Sequence, residues 1–505
     1  MAHAQVVDPI AEKAAPATGF TLLIDGESVT APTSLDVINP ATGTVFARCP
    51  AAGRAELDRA VSAARRAFPS WAALSFDDRT RAIKRMADVL KANVDSLAEL
   101  LTREQGKPLQ QSKDEIGRAA SLTEGMLKIR FETETIVDDA EKRIELRYVP
   151  LGVAGIITPW NAPINLAIGP LVSALYTGNT VVLKPSPYTP LSTLKIGELI
   201  RDVFPRGIVN FIAGGDQLGQ WITEHPQIDK ISFTGSVATG KKVMASAAGT
   251  LKRVTLELGG NDAAIVLDDV DPKVVAPKLF FAGFVNSGQV CMAIKRIYAH
   301  EKIYDALCDA LAEEARKWKV GDGLDPTTKL GPIQNRMQYD KVIDVIADTK
   351  KAGGKFIAGA EQPSASQASG VGANGGGRES DQRTGYFVNP AIVTGLDESH
   401  RLVREEQFGP IVPVLKFTDV EDALRRANDT RYGLSGSVWS RDPERAAAIA
   451  AKLEVGTAWV NQHRATAADV PFGGAKESGI GRTYSDLGLK AYMEPRVVSI
   501  LKAPV

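Results

Sequence analysis

The chain has 505 residues, 44% of them apolar and 24% charged, with 60 basic and 60 acidic side chains that cancel. That length is too great for one hydrophobic core, so two or three domains are expected, and the zero net charge excludes a global pull toward nucleic acid or an anionic membrane surface. Three cysteines, Cys49, Cys291 and Cys308, are too few for a disulfide framework and lack zinc-ligand spacing, so free thiols in a reducing cytoplasm and no resident metal are expected.

In chain order, the first twenty residues carry Asp8, Glu12 and Lys13 among small residues and read as a loose arm, not a signal peptide. Asp25-Gly26 between Leu22-Leu23-Ile24 and Val29 predicts a hairpin. From Asp77 to Leu101 apolar residues recur at helical spacing (Ile83, Met86, Val89, Leu90), and Gln105-Gly106-Lys107-Pro108 stops the run. The uncharged stretch between Arg147 and Lys184 is no membrane span, because Pro159, Pro163 and Pro170 would leave backbone groups unsatisfied in lipid.

That stretch instead opens a β-α series. Strands are predicted at Gly152–Ile157, Thr180–Leu183, Ile208–Phe211, Lys230–Phe233 and Val254–Leu256. Helices are predicted between them at Ile164–Tyr176, Leu191–Val203, Gln217–Glu224 and Val237–Ala248. Units of this length imply a parallel sheet covered on both faces. A second α/β series runs from 262 to 462, interrupted by a Gly/Ser-rich surface insertion at 362–383, and Arg496–Leu501 alternates like a final strand.

Three residues carry candidate chemistry. Cys291 lies in FVNSGQVCMA (284–293), among small and polar residues that suit an open loop where a thiolate acts as nucleophile; Cys49 and Cys308 read as inert core residues. Glu257 ends a predicted strand in LELGG, the position where parallel sheets place ligands, although a solvated carboxylate fits the same residue. Asn161, in TPWNAPI, offers an amide to a developing oxyanion, or simply satisfies its own turn. The run FTGSVATGKK (233–242) puts helix N-terminal amides where a phosphate binds. It is a near miss to a P-loop, because Lys242 stands where a Ser or Thr must ligate Mg²⁺, and no GxGxxG stands at a strand-to-helix turn.

Taken together, TPWNAP, GNTVVLKPS, FTGSVATG, LELGG, FVNSGQVCMA, EEQFGP (405–410) and PFGGAKESGIGR (471–482) resemble the aldehyde dehydrogenase superfamily, in the family's order and from about residue 20 onward. The resemblance implies an α/β fold with a discontinuous Rossmann-like cofactor domain (1–127 and 149–260), an α/β catalytic domain (261–479) and a small β oligomerisation segment (128–148 and 480–505). It implies a homodimer or homotetramer. Cys291 matches the nucleophile that forms a thioester, Asn161 with the Cys291 backbone N–H the oxyanion site, and Glu257 the base that activates water.

The resemblance also implies a dinucleotide, NAD⁺ with NADP⁺ left open. Lys184 matches the residue at the adenosine ribose, Ser236 the pyrophosphate contact, Trp160 the wall of the cofactor path and Glu406 the nicotinamide ribose ligand, with Phe408 beside the ring. The same binding surface takes in Thr158, Ser186, Pro187, Gly214, Gly219, Phe233, Thr234, Gly235, Leu258 and Gly259. Pro187 is a departure, since NAD-preferring members often have Glu there, and without it a 2′-phosphate meets no repulsion.

The substrate channel departs as well. Ala162, Gly169, Val285 and Thr466 stand where many members have aromatics, Phe472 remains aromatic, and Met292, His463 and Arg464 complete the wall. Lost volume predicts a wide tunnel and a bulky aldehyde, aromatic or longer-chain, unless neighbouring loops refill the space. Arg464 is a candidate for holding an anionic substrate group. A CoA-acylating semialdehyde dehydrogenase and a non-enzymatic binding or structural member are the rival readings; Glu257 argues against the first, and the intact Cys291, Asn161 and Glu257 against the second.

Overall fold

Five runs rich in β-branched residues, Val153–Ile157, Thr180–Lys184, Val209–Phe211, Lys230–Thr234 and Arg253–Glu257, pair in parallel through their buried backbones. In the computed structural model, which describes residues 19–359 and 385–502, their spatial order is third, second, first, fourth, fifth. Strand order therefore reverses between Val153–Ile157 and Lys230–Thr234, the switch point at whose carboxyl ends open parallel sheets place a ligand crevice. Chain segments distant in sequence close both edges. Leu22–Ile24 pairs antiparallel with Val209–Phe211, and Gly479–Ile480 pairs antiparallel with Arg253–Glu257.

A second sheet of seven strands follows the order Lys355–Ala358, Ala391–Thr394, Ile411–Phe417, Ile294–His300, Asp262–Val266, Ser435–Trp439, Thr457–Val460; its first strand alone is antiparallel. A three-stranded antiparallel sheet joins Met493–Leu501 to Lys142–Pro150 and Glu134–Asp138. The largest apolar cluster lies around the first sheet and the helices on its faces, and a second lies beneath the Ile294–His300 strand.

The predicted hairpin forms at Asp25-Gly26, with both residues at positive φ (54° and 74°), as a two-residue turn between twisted strands requires. Two expectations are corrected. The single helical run over Asp77–Leu101 is two helices, Phe76–Ala92 and Val94–Gln105. Asn93 leaves the helical region between them (φ −116°, ψ 19°), and its Nδ2 donates to the Val89 carbonyl. An Asn side chain competing for backbone partners breaks a helix without disturbing the apolar periodicity on either side. The helix expected over Leu191–Val203 stops at Leu199, where the chain passes into turns. Among the described residues no helix is long and apolar enough to cross a membrane. Residues 1–18 of the arm expected over the first twenty residues, and the 362–383 insertion, lie outside the described residues.

Candidate active site

Cys291 follows a turn in which Asn286, Ser287 and Gly288 all take left-handed backbone (φ 53°, 57° and 70°). Such geometry is sparse for non-glycine residues and persists only where surroundings hold it. Here Ser287 Oγ donates to the Gly331 carbonyl (2.7 Å), Gln289 Nε2 donates to the Asn286 carbonyl (2.9 Å), and Gln289 Oε1 accepts from the Gln334 N–H (2.8 Å). Lys295 Nζ reaches back to the carbonyls of Val290 (2.7 Å) and Cys291 (3.2 Å). Cys291 is partly exposed, while Cys49 and Cys308 are buried. Desolvation pushes its thiol up to about 12, against the opposing pull of Lys295, with Glu406, Glu257 and Asp262 adding to the rise.

Asn161 is buried, and its Nδ2 donates to the Gln289 carbonyl (2.9 Å), which ties the amide to the Cys291 loop. Its own carbonyl accepts from Lys107 Nζ (3.0 Å) and Asn286 Nδ2 (2.8 Å). Lys107 is ion-paired with Glu115 in a nearly solvent-free position, and Glu115 Oε1 accepts the N–H groups of Ile164 (2.9 Å) and Asn165 (3.1 Å) at the start of the helix Pro163–Tyr176. The backbone around Asn161 is thus pinned from both sides, and one amide hydrogen remains for a ligand.

Glu257 ends its strand at the rim of the first sheet. Its Oε1 is buried without a hydrogen-bond partner, and burial raises its pKa to about 8, with Arg482 pulling the other way. A carboxylate in that range takes up a proton near neutrality, as a general base must. The next residues bind Glu406: the Gly260 N–H donates to Glu406 Oε1 (3.0 Å), and a Cβ on Gly259 would stand 2.2 Å from Glu406 Oε2. Only glycine allows that approach. Glu406 is itself raised by burial, with Lys295 opposing.

The cofactor-side residues gather at the crevice. Trp160 packs edge-on against Phe408 (centroids 5.3 Å apart), whose backbone is left-handed at φ 50°. Thr158 donates its N–H to the Lys184 carbonyl (3.1 Å) and keeps a buried hydroxyl without a partner. Lys184 is buried, and among the described residues its Nζ donates to the Pro185 carbonyl alone (3.3 Å). Burial lowers that amine to about 8 while Asp216 resists. Ser186 Oγ accepts the Tyr188 N–H, Pro187 lies between them, and Gly219, on the helix Asp216–Glu224, stands beside the Lys184 side chain. Gly214 precedes that helix and packs on Leu218. Phe233 and Thr234 end their strand, Gly235 donates its N–H to the Glu257 carbonyl (3.0 Å), and exposed Ser236 caps the helix Val237–Ala248 through the Thr239 N–H (3.2 Å). Leu258 turns its N–H to the Ser478 carbonyl (2.9 Å).

On the substrate side, Gly169 meets Tyr484: a Cβ there would lie 3.6 Å from the Tyr484 ring, so the tyrosine takes back part of the space an aromatic at Gly169 would fill. The wide tunnel expected from four small residues is corrected to that extent. Ala162 and Thr466 remain small, Val285 and Phe472 are buried, and Met292 is half-buried. His463 is also corrected as a channel wall. Its side chain has no exposed surface, its ring nitrogens bond Ser437 Oγ (2.9 Å) and the Met292 carbonyl (3.1 Å), and Asp262 lies 3.6 Å away. It anchors the loop that carries its neighbours.

The chain matches the aldehyde dehydrogenase family over residues 27–498. It belongs to that family. An aldehyde dehydrogenase of a Fusarium species is 36% identical, with 96% of this chain and 99% of the relative covered, and a betaine aldehyde dehydrogenase of Rhizobium leguminosarum is 36% identical over 95% and 97%. A solved NAD⁺ complex of an aldehyde dehydrogenase from Bacillus cereus superposes with a TM-score of 0.90 at 35% identity, covering 96% of this chain and 97% of that one.

Four parts of this aldehyde dehydrogenase site escaped the sequence reading: Lys107 with Glu115, Lys295, Tyr484, and Arg118, whose Nη1 donates to Thr466 Oγ1 (3.2 Å). Glu115 and Arg118 sit on one amphipathic helix, where charges ordinarily face water. Lys295 alone left a trace, as a cation after three apolar residues that follow the nucleophile. Among the described residues no cluster suited to a metal ion occurs.

Proposed function

We propose that this enzyme oxidises an aldehyde to the carboxylate with NAD⁺, through an acyl bond to Cys291 Sγ. The observation that carries the proposal is the meeting of a loop thiol from the second sheet with an unpartnered carboxylate, Glu257, from the first, beside an Asn161 amide fixed to the thiol's own loop. The crevice suits a dinucleotide: a buried Lys184 amine with one backbone partner, a buried Thr158 hydroxyl with none, a buried Glu406 carboxylate and an open helix N-terminus at Ser236. When bound, NAD⁺ accepts the hydride leaving the aldehyde carbon.

The chain's own residues do the rest. Cys291 Sγ gives its proton to solvent water and attacks the carbonyl carbon, and the oxyanion receives hydrogen bonds from Asn161 Nδ2 and the Cys291 N–H. Glu257 then takes a proton from the water that cleaves the acyl–sulfur bond. A base at that position favours hydrolysis over transfer to CoA. Assay of the free acid with and without CoA checks this; an acyl-CoA product would replace the hydrolytic reading.

Asp216 supports NAD⁺ over NADP⁺. Pro187 offers no charge against a 2′-phosphate, but Asp216 acts on both Lys184 and Tyr188, so a carboxylate is present on the adjoining helix. Asp216→Asn is expected to raise the ratio of NADP⁺ to NAD⁺ in kcat/KM by roughly 3- to 10-fold. An unchanged ratio assigns the preference elsewhere.

A bulky aldehyde, aromatic or longer-chain, is the finer reading, supported by Ala162, Val285 and Thr466 even with Tyr484 against Gly169. Benzaldehyde is expected to exceed acetaldehyde in kcat/KM by about 10-fold or more through added apolar contact. The reverse order would remove the bulky reading and leave the oxidation itself standing. Cytoplasmic location and a homodimer or homotetramer complete the proposal, the latter supported by the exposed Ile136, Val497 and Leu501 of the three-stranded sheet.

A further inference from the structure

Two cations meet at the loop that follows the strand Thr457–Val460. Arg464, in the loop after Thr457–Val460, is only partly exposed, holds left-handed backbone at φ 66° and keeps a buried Nε with no hydrogen-bond partner. Its guanidinium stands 5.7 Å from the centroid of the Phe281 ring. Arg118 projects from the helix Leu109–Met126 to the same loop through its bond to Thr466 Oγ1. Among the described residues the ion pairs of this region bypass both guanidinium groups. Arg118 and Cys291 both act electrostatically on Arg464, and Arg118, Glu257 and Cys291 all act on Tyr484, so the two arginines share one field with the nucleophile and the base.

A partly desolvated guanidinium beside a second one, with no anion between them, carries both a solvation cost and a like-charge cost. A carboxylate entering the channel relieves both at once, and its planar oxygens match the guanidinium fork. We infer that the preferred substrate is an aldehyde bearing a carboxylate remote from its carbonyl, held by Arg464 and Arg118 while the carbonyl carbon meets Cys291. This rests on the oxidation proposed above. It separates the enzyme from its betaine aldehyde dehydrogenase relatives by charge, since betaine aldehyde is a cation.

The test is a size-matched panel: benzaldehyde, its para-carboxy and para-trimethylammonio derivatives, and butanal against succinic semialdehyde, followed by reduction of NAD⁺. The carboxylated members are expected to lead in kcat/KM by about 10- to 100-fold, mainly through KM, as for a charged hydrogen bond gained. Their KM should rise with ionic strength while that of the neutral members holds. Arg464→Gln and Arg118→Gln should each compress the carboxylate-to-neutral ratio, and Arg464→Lys should retain part of it. Equal rates for carboxylated and neutral aldehydes in the parent, or proportional losses on both in the variants, would overturn the inference while leaving the oxidation intact. Failure to oxidise any member would overturn both.

Discussion

Replacing Cys291 by Ser will lower kcat/KM by about 10³- to 10⁵-fold on every aldehyde, because a serine hydroxyl there has no base arranged to ionise it as readily as a thiol. Mass spectrometry of the intact parent protein under turnover should show an acyl increment on one residue, and the serine variant should show none. Alkylation should distinguish the three thiols. Cys49 is 1% and Cys308 7% exposed, and burial pushes both up to about 12, whereas Cys291 is partly exposed. Its own thiol is raised as far, so the free enzyme holds a protonated sulfur at neutral pH and alkylation should quicken as pH rises. Parental activity in the serine variant would end the covalent account.

Glu257→Gln should reduce steady-state turnover by about 10²- to 10⁴-fold, the usual scale for a lost general base. The substitution keeps the side chain's shape, so the acyl-enzyme should persist after the substrate is removed, with free acid released slowly. The pH profile supplies a second reading. Burial raises Glu257 to about 8, so the carboxyl is largely protonated at pH 7 and becomes the competent base as pH climbs past that value. Activity should therefore rise through about pH 8 in the parent, and that limb should vanish in the glutamine variant. A limb that survives unchanged assigns the titration to another group, and acid released at the parental rate removes Glu257 from the hydrolytic step.

The succession of strands and helices in the first sheet was legible because it rests on a local signal, whereas the roles proposed for Cys291, Glu257 and Asn161 rest on the family resemblance of several motifs together. Short β-branched runs separated by amphipathic ones announce a parallel sheet, and the loops after those runs are where the chemistry sits. What escaped was non-local. The Lys107 bond to the Asn161 carbonyl and the Arg118–Thr466 bond join segments far apart in sequence, and no periodicity encodes such a meeting. Tyr484 shows the same limit: four small residues promised open volume, but a side chain more than three hundred positions after Gly169 occupies part of it. Asn93 failed for the opposite reason. A single polar side chain interrupted a helix whose apolar stripe ran on across the break.

The strand Gly479–Ile480 closes the edge of the first sheet against the very strand that ends in Glu257, with Glu257 opposite Gly479 in register. A nascent chain on the ribosome, with seven of the eight strands of its first sheet already translated, still lacks the border strand that pairs with Glu257. The edge beside Glu257 is therefore set by residues more than two hundred positions further along the chain.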